Sequence, residues 1–578
     1  LDDAVIDVPA ESQVHRQIVR KEMESRDIRL DTATRLYYVQ IEEPSLEDPR
    51  GEMQFLFEAL EREWGVTGLT LANSQLHALQ AALTREDRGV TVAVYQEHLI
   101  TGIWPGLFDQ PRGIAIDVGS TTVAAHLCDL NSGEVLASAG VMNPQIRYGE
   151  DLMSRVSYVM MHPEGAELLT SAIREAINGL FVELTSEASN QVEDILEIAL
   201  VANPIMHHIV LGINPVNLGT APFALTTSDA IDTRAAEMGL NAHPEARLYC
   251  LPCIAGHVGA DAAGVILAEA PDRNEDMTLV VDVGTNAEIV LANNERLLVC
   301  SSPTGPAFEG AQISSGQRAT IGAIERVQIN RDTLEPRFKC IGSELWSDEP
   351  GFTEAMSGTG VTGICGSGII EVVAEMYLAG ILSTDGVVDG ALAERTQRIQ
   401  ADGRTFSYVL HASSDPEVSD VLVTQNDVRQ IQLAKAALYA GIKLLMDEMG
   451  VTTVDRIRLA GAFGSHISVS HAMVLGLIPD CDLEQVTSAG NAAGAGARMA
   501  LLDRNARLEI AATIAKAERI ETAVADDFQA HFVGAMGLPH QSDPFPNLFS
   551  VVAPPEAKVV ESADTPKRRR RRSSRASA

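Results

Sequence analysis

Two short turns carry the residue types that phosphate chemistry needs. DVGS at 117–120 and DVGT at 282–285 each follow a run of apolar and β-branched residues. A carboxylate at the end of a buried strand can hold a hydrated Mg²⁺, and the glycine lets a phosphate approach without meeting a Cβ. Successive N–H groups in such a turn form a concavity that binds anions. We therefore expect two phosphate loops.

The residues around these turns predict a complete nucleotide site. Two such loops facing each other would clamp a triphosphate, leaving Asp117 and Asp282 to manage Mg²⁺ and water. The later segments AGAFGS and AGNAAGAG place small residues at strand-to-helix junctions, which suits a flat adenosine. A single Asp-X-Gly turn is usually only a turn, but two of them with these junctions indicate nucleotide binding. The predicted cofactor-binding residues are Gly119, Ser120, Thr121, Thr122, Gly284, Thr285, Asn286, Gly461, Ala462, Phe463, Gly464, Gly490, Asn491 and Gly494.

An internal repeat positions these residues. Each phosphate loop opens a predicted three-stranded meander with an Asn-containing turn. IALVANPIMHHIVLG (198–212) then matches IRLAGAFGSHISVSHAMVLG (457–476), and GHVGADAAGVILA (256–268) matches GNAAGAGARMALL (490–502). Three matched pairs in one order predict a duplicated α/β fold with a cleft between two halves.

Composition narrows the possible partners. The 578 residues carry a formal charge of −35, although KRRRRRSSRASA at 567–578 is basic. An acidic body repels nucleic-acid backbones and membrane surfaces, and no apolar run reaches the roughly 20 residues of a membrane span. We expect a cytoplasmic protein with no nucleic-acid or membrane partner. The Arg-rich tail is expected to be disordered.

Four segments precede that tail in the predicted domain division. Residues 1–32 form a linker, 33–110 a small α/β middle domain, 111–275 the first half of the duplicated fold and 276–545 its second half. Residues 546–578 form the disordered basic tail. We expect Lys435 to be exposed, and His207 to fill a satisfied core or rim position rather than to bind a ligand.

The order DVGSTT, DVGTN, AGAFG and GNAAGAG resembles the actin-like ATPase superfamily of acetate and sugar kinases, heat-shock chaperones and actin. Its phosphate-1, phosphate-2 and adenosine motifs map to 117–122, 282–288 and 460–465 with 490–496. The resemblance implies a duplicated actin-like (RNase H-like) fold. It also makes Asp261 a third catalytic candidate, because the catalytic base of sugar kinases occupies a similar position. Asp261 could equally orient water or Mg²⁺, or cap a helix.

A closer resemblance covers nearly the whole chain. YGEDLMSRV (148–156), GPAFEGAQI (305–313), GICGSGIIEVV (363–373) and AGAFGSHISVSHAMVLGLIP (460–479) are similar to reductive activators of corrinoid proteins. That family implies ATP-driven, one-electron reduction of a Co(II) corrinoid protein to Co(I) in a methyltransferase system. The implied cofactors are ATP and Mg²⁺, held through water by Asp117 and Asp282. A homodimer is possible.

The family also implies a partner surface and an N-terminal 2Fe–2S ferredoxin-like domain. Ser301, Ser302, Gly305 and Glu309 are the partner-facing candidates, although this loop could instead serve only the phosphates. The ferredoxin spacing C-x₄-C-x₂-C is absent, and the chain begins at Leu1. We therefore expect the cluster domain to lie upstream. The alternatives are a small-molecule kinase, a chaperone-like binding protein or an activator of a radical dehydratase.

Overall fold

The strands predicted around the two Asp-Val-Gly turns lie at the centres of two matching sheets. The structure is a computed structural model, and it describes residues 28–84, 87–284, 286–413, 418–464 and 467–555. The predictions for residues 1–27, for Thr285 and for residues 556–578 lie outside the described residues. None of the described helices is long and apolar enough to cross a bilayer.

A small α/β unit comes first in the described chain. Its elements are β1 (Thr34–Gln40), α1 (Glu52–Trp64), β2 (Thr70–Leu71), α2 (Gln75–Leu83), β3 (Gly89–Tyr95) and β4 (Leu99–Pro105). The strands stand in the order β1-β3-β4-β2. Leu56, Leu60 and Leu79 of the two helices are buried with Val90 and Val92 of the sheet. β3 and β4 pair as an antiparallel hairpin over the stretch GVTVAVYQEHLITGI.

The first phosphate turn belongs to a six-stranded sheet. The elements are β5 (Arg112–Val118), β6 (Thr122–Asp129), β7 (Val135–Met142), α3 (Leu152–Met161), α4 (Gly165–Glu187), β8 (Ile195–Ala202), α5 (Pro204–Leu211), β9 (Ile231–Arg234), β10 (Arg247–Cys250) and α6 (Ala260–Glu269). The strand order is β7-β6-β5-β8-β10-β9. β5, β6 and β7 are antiparallel neighbours, whereas β8 is parallel to both β5 and β10.

The second phosphate turn belongs to an equivalent sheet. The second half of the chain begins with β11 (Thr278–Val283), β12 (Ala287–Ala292), β13 (Leu297–Ser302), β14 (Ala323–Ile329), β15 (Pro336–Cys340), α7 (Phe352–Ala355), β16 (Gly363–Ile364) and α8 (Gly366–Leu378). It continues with β17 (Ile399–Asp402), β18 (Thr405–His411), β19 (Val421–Val423), α9 (Gln425–Met449), β20 (Arg456–Ala460), α10 (Gly461–Gly464) and α11 (Val469–Leu475). The last elements are β21 (Val486–Gly490), α12 (Ala492–Leu502), α13 (Arg504–Ile514), β22 (Glu518–Arg519), α14 (Phe528–Gly534) and α15 (Pro546–Val551). The strand order is β21-β20-β11-β12-β13-β22.

These two sheets confirm the predicted duplication. β7-β6-β5-β8-β10 and β13-β12-β11-β20-β21 have the same order when their strands are numbered within each half. The halves differ at the sheet edges, where β9 and β22 are added. They also differ by the two three-stranded sheets β15-β14-β16 and β17-β18-β19, which occur only in the second half of the described chain. The predicted duplicated actin-like α/β fold is therefore observed.

Helices α6 and α12 bring the two halves into contact. Both contribute small residues to a core cluster that also contains Val280 and Val299 of the second sheet. At the crossing point Gly264 and Gly496 stand backbone to backbone. An ideal Cβ on Gly264 would lie 2.8 Å from the carbonyl oxygen of Ala493, and one on Gly496 would collide with the carbonyl of Gly264. Only glycine allows this approach.

A buried ion pair fastens α13 to the first sheet and to the small unit. Arg507 of α13 pairs with Glu197 of β8 and donates to the Tyr95 hydroxyl of β3 at 3.1 Å. Its Nε donates to the carbonyl of Ala500 at 2.7 Å, and the guanidinium lies 4.4 Å from the ring centroid of Tyr249. Arg507 is 5 % exposed and Glu197 is 0 % exposed. Three segments that are distant in sequence therefore meet at one charge pair.

Two predictions about the second half are wrong. Lys435 is fully buried on α9, where its Nζ donates to the carbonyls of Gly537 and Pro539. Burial lowers its pKa well below the usual value. The tail was also predicted to begin too early, because α15 lies within it and Leu548 is fully buried in the core. Both errors involve packing of the C-terminal segment, which local sequence patterns do not reveal.

Candidate nucleotide site

The structure brings the three predicted catalytic carboxylates together. Asp117 and Asp282 are the penultimate residues of β5 and β11, and both are only partly exposed. Burial, followed by the charges of Asp261 and Asp282, raises the pKa of Asp117 to about 8. Burial and the charge of Asp261 raise the pKa of Asp282 to about 7. A carboxylate shifts the pKa of another in this way only when the two lie close together, so the three residues share one site between the two sheets.

Asp261 occupies the first turn of α6. Its Oδ1 accepts the N–H of Ala262 at 2.8 Å, whereas Gly259 is the N-cap residue. An ideal Cβ on Gly259 would lie 2.6 Å from this Oδ1 and 2.7 Å from the carbonyl oxygen of Ala202, so the chain here is tightly constrained. Burial raises the pKa of Asp261 to about 6, although the backbone N–H groups oppose the shift.

A fourth carboxylate, Glu288, joins the site and was missed from the sequence. In the β11–β12 ladder Glu288 stands directly opposite Asp282, and in the β12–β13 ladder it stands opposite Ser301. Residues opposite one another share a face of the sheet. Burial, together with the charges of Asp261 and Asp282, raises the pKa of Glu288. The sequence could have indicated this position of Glu288, because the short turn after Asp282 determines which residue of β12 pairs with it.

Phosphate loop 1 is a tight turn whose backbone carbonyls accept hydrogen bonds from two buried residues. The N–H of Gly119 donates to the carbonyl of Thr122 at 3.0 Å, and an ideal Cβ on Gly119 would lie 2.6 Å from that oxygen. Buried Asn143 donates from Nδ2 to the Gly119 carbonyl at 2.9 Å, and its N–H donates to the carbonyl of Thr121 at 2.8 Å. Arg155, which is also fully buried, donates to the Ser120 carbonyl.

One of the two side chains that support loop 1 belongs to a segment in which no site residue was predicted. Arg155 lies in YGEDLMSRV, and its guanidinium also donates to the carbonyl of Gly149 at 3.0 Å and to Oε1 of Gln145 at 3.3 Å. Burial lowers the pKa of Arg155 to about 10. Because this cation lies behind the turn, it favours negative charge bound in front of it. Asn143 and Arg155 are therefore functional candidates.

Phosphate loop 2 is a related but shorter turn. The N–H of Gly284 donates to the carbonyl of Asn286 at 3.1 Å. The Thr304 hydroxyl donates to the Gly284 carbonyl at 2.8 Å, and Thr304 was not among the predicted residues. Thr285 lies outside the described residues. Loop 2 is therefore one residue shorter than loop 1, although its glycine holds the corresponding position after the strand.

The two predicted adenosine loops lie beside the carboxylates. Gly461 opens α10 with φ +83°, and an ideal Cβ there would collide with Oδ1 of Asp282. Asn491 caps α12 by accepting the N–H of Gly494 at 2.8 Å, and its side chain also hydrogen-bonds Asp117. Gly464 follows within α10. The side chains of Ala462 and Phe463 are outside what the structure describes.

The structure separates the partner-facing candidates. Ser302 is fully buried, and its hydroxyl donates to the carbonyl of Ala437 at 2.6 Å, so the prediction that it faces a partner is wrong. Ser301, Gly305 and Glu309 are partly exposed. The alternation of β13 explains the difference, because neighbouring strand residues point to opposite faces.

His207 and the cysteines are buried. His207 is fully buried with neither ring nitrogen hydrogen-bonded within the described residues, so the prediction that it would be satisfied is wrong. Burial lowers its pKa to about 4. All seven cysteines are free and buried. Burial raises the pKa of Cys253 to about 12, so the thiolate form is disfavoured.

The donor set fits a metal held through water. Mg²⁺ commonly keeps several waters and takes one or two carboxylates. In the described ranges no three His, Cys, Asp or Glu side chains are grouped so that they could bind one ion. Asp117 and Asp282, one at each strand end, can each accept hydrogen bonds from a hydrated ion.

The raised carboxyl pKa values predict a pH-dependent stability. A folded-state pKa above the unfolded value of about 3.9 stabilises the fold at low pH, and this contribution is lost as pH rises through the folded pKa. Without nucleotide, the melting temperature should therefore fall between pH 5.5 and 8.5, and Asp282→Asn should flatten that slope. Differential scanning fluorimetry measures both. Glu134→Gln, an exposed residue in the turn before β7, should follow the wild-type slope. Parallel slopes for Asp282→Asn and wild type would contradict the expectation.

Three family models together match most of the chain. Residues 23–110 match a model described as the RACo linker region, 112–274 match the RACo middle region, and 276–549 match the C-terminal domain of RACo, the ASKHA domain. In this nomenclature the middle region contains the first phosphate sheet, rather than the small unit before it.

Three proteins that are similar to this chain are described as activators or reductases of corrinoid proteins. The chain is 34% identical over 400 residues to the corrinoid activation enzyme RamQ of Eubacterium limosum, covering 68% of this chain and 64% of that protein. It is 24% identical over 483 residues to a [Co(II) methylated amine-specific corrinoid protein] reductase of Methanosarcina barkeri, covering 79% and 83%. The solved structure of a reductive activator for corrinoid, iron-sulfur protein is 31% identical. It matches with a TM-score of 0.77 over 92% of this chain and 85% of that one. The chain thus spans somewhat less than two thirds of the first of these relatives.

Proposed function

The chain belongs to the RACo family of corrinoid activators, and we propose that it binds Mg–ATP between its two halves to drive reduction of a Co(II) corrinoid protein to Co(I). The observation that supports this most strongly is the pair of glycine turns, each following an aspartate at a central strand end. The charge of Asp282 raises the pKa of Asp117, as expected for two sides of one phosphate clamp.

The residues of the cleft have distinct roles in the proposed ATPase. The backbone N–H groups of the two loops bind phosphate oxygens, and Asp117 and Asp282 orient a hydrated Mg²⁺. Attack by water forms a bond to the γ-phosphorus and breaks the bond to the β–γ bridging oxygen, giving ADP and inorganic phosphate. Asp261 accepts the proton of the attacking water, because its pKa of about 6 leaves it ionised near neutral pH.

ATP acts on the reduction through conformation. A nucleotide that binds the closed cleft more tightly shifts the chain toward that state, and the partner's affinity changes with it. The reduction itself adds one electron to Co(II). The family's 2Fe–2S cluster does not fit this chain, whose seven cysteines are buried and lack the required spacing. The electron therefore reaches the Co(II) corrinoid from a low-potential 2Fe–2S donor that is not among these residues.

The experiment combines this chain with reduced ferredoxin and a methylated-amine-specific corrinoid protein in the Co(II) state. The Co(II) absorption band should disappear, and the Co(I) band should appear, only when Mg–ATP is present. ATP hydrolysis should be faster with the Co(II) protein than with its cobalamin-free form. Reduction at the same rate without ATP would overturn the proposal, as would formation of a phosphorylated small molecule in place of inorganic phosphate.

A further inference from the structure

Each phosphate loop is held by a side chain from the segment that follows its meander. In the first half Asn143 comes directly after β7 and donates to the Gly119 carbonyl at 2.9 Å. In the second half Thr304 comes two residues after β13 and donates to the Gly284 carbonyl at 2.8 Å. The acceptor is the same glycine of the Asp-Val-Gly turn in both halves. The two donors are chemically different, yet the bond is duplicated.

Both donor residues are shielded from water. Asn143 is fully buried and Thr304 is 5 % exposed. A hydrogen bond shielded from water is stronger than one at the surface, so each bond holds its loop firmly. Displacement of Gly119 or Gly284 by bound phosphate must therefore move the donor residue or break a buried bond.

A short 3₁₀ helix follows each donor. Asn143 is the N-cap of a 3₁₀ helix at Pro144–Tyr148, with its Oδ1 accepting the N–H of Gln145. Thr304 precedes a 3₁₀ helix at Pro306–Glu309, in which Phe308 is 1 % exposed and belongs to the core. Gly305 joins Thr304 to that helix with φ +71°, and an ideal Cβ there would meet nothing within 4 Å.

We infer that Asn143 and Thr304 are paired positioning residues that transmit the position of the phosphate loops to the segments after β7 and β13. In the second half the receiving segment contains Gly305 and Glu309, the remaining exposed partner-facing candidates beyond the strand. Thr304 thus connects nucleotide state to the predicted partner surface. The inference rests on the proposed nucleotide binding and adds the residue through which that binding is transmitted.

The test compares Thr304→Val, which removes the donor but keeps the shape, with Thr304→Ser, which keeps the donor. Hydrogen–deuterium exchange is measured with and without Mg–AMP-PNP, and calorimetry measures the affinity for the same nucleotide. In the wild type, nucleotide should slow exchange in residues 144–151 and 305–316. In Thr304→Val the response of 305–316 should be lost and that of 144–151 kept, at a nucleotide concentration that the calorimetry shows to be saturating for the variant. Thr304→Ser should retain both responses.

Other outcomes separate the two proposals. A wild-type chain that does not bind Mg–AMP-PNP would overturn the proposed function and this inference with it. Nucleotide binding with an unchanged response of 305–316 in Thr304→Val would overturn the inference alone. A general loss of protection in Thr304→Val, extending to 144–151, would assign Thr304 a merely structural role and would also overturn it.

Discussion

Asp117→Asn should lower ATP turnover by roughly 10²–10³-fold, a typical effect of removing one electrostatic contact to a reacting phosphate. The amide keeps the volume of the carboxylate but cannot supply the negative charge that orients hydrated Mg²⁺. The steady-state rate of phosphate release at saturating Mg–ATP measures the loss. Corrinoid reduction should fall in parallel if it depends on this ATPase.

The fold should tolerate the Asp117→Asn change. Asp117 is largely protonated near neutral pH when no metal is bound, because its pKa is about 8, and asparagine resembles that neutral form. The melting temperature without nucleotide should therefore be at least that of wild type. Glu134→Gln again serves as the control, with wild-type turnover. Retention of turnover in Asp117→Asn would show that the carboxylate has no part in the chemistry.

Arg507→Met should produce the largest loss of stability. The change leaves Glu197 buried without its cation, and breaking a buried ion pair in this way costs about 3–5 kcal/mol. The melting temperature should fall by roughly 6–15 °C. Because Arg507 connects α13 with β8 and β3, the loss should affect the small unit and the first sheet together.

Two comparisons isolate the buried charge. Arg504 lies on the same helix and pairs with Asp31 and Glu97, but its side chain is 31% exposed. Arg504→Met should therefore cost no more than about 1 kcal/mol. The double variant Arg507→Met with Glu197→Leu should recover part of the stability, because neither charge then remains buried. Equal destabilisation by Arg504→Met and Arg507→Met would contradict the account.

The sequence was most informative where chemistry and local structure coincide. Asp117 and Asp282 lie at the ends of apolar strands, in Asp-Val-Gly turns. The same few residues therefore predicted the strand, the turn and the carboxylate. The duplicated meanders followed from the same repeat and are confirmed by the two matching sheets. Adjacent antiparallel strands obey local rules, which is why this level of the fold could be predicted.

Residues positioned by long-range packing could not be predicted in this way. Arg155 and Lys435 are long charged side chains that ordinarily remain exposed, yet both are buried against backbone carbonyls of distant segments. Glu288 differs from them, because its pairing with Asp282 is local and only its role was overlooked. Ser302 was assigned from its loop, whereas the last position of β13 points it inward.

The glycine crossing of α6 and α12 has a consequence for movement between the halves. Backbone atoms that touch at Gly264 and Gly496 leave no side chain between the two helices at that point, so a rotation centred there would need no side-chain repacking at the point of contact. The crossing would then be the pivot about which the two halves rotate. Displacements would be smallest at these glycines and would grow with distance from them, so a small rearrangement at the phosphates would become a larger excursion at the outer edges of the two sheets.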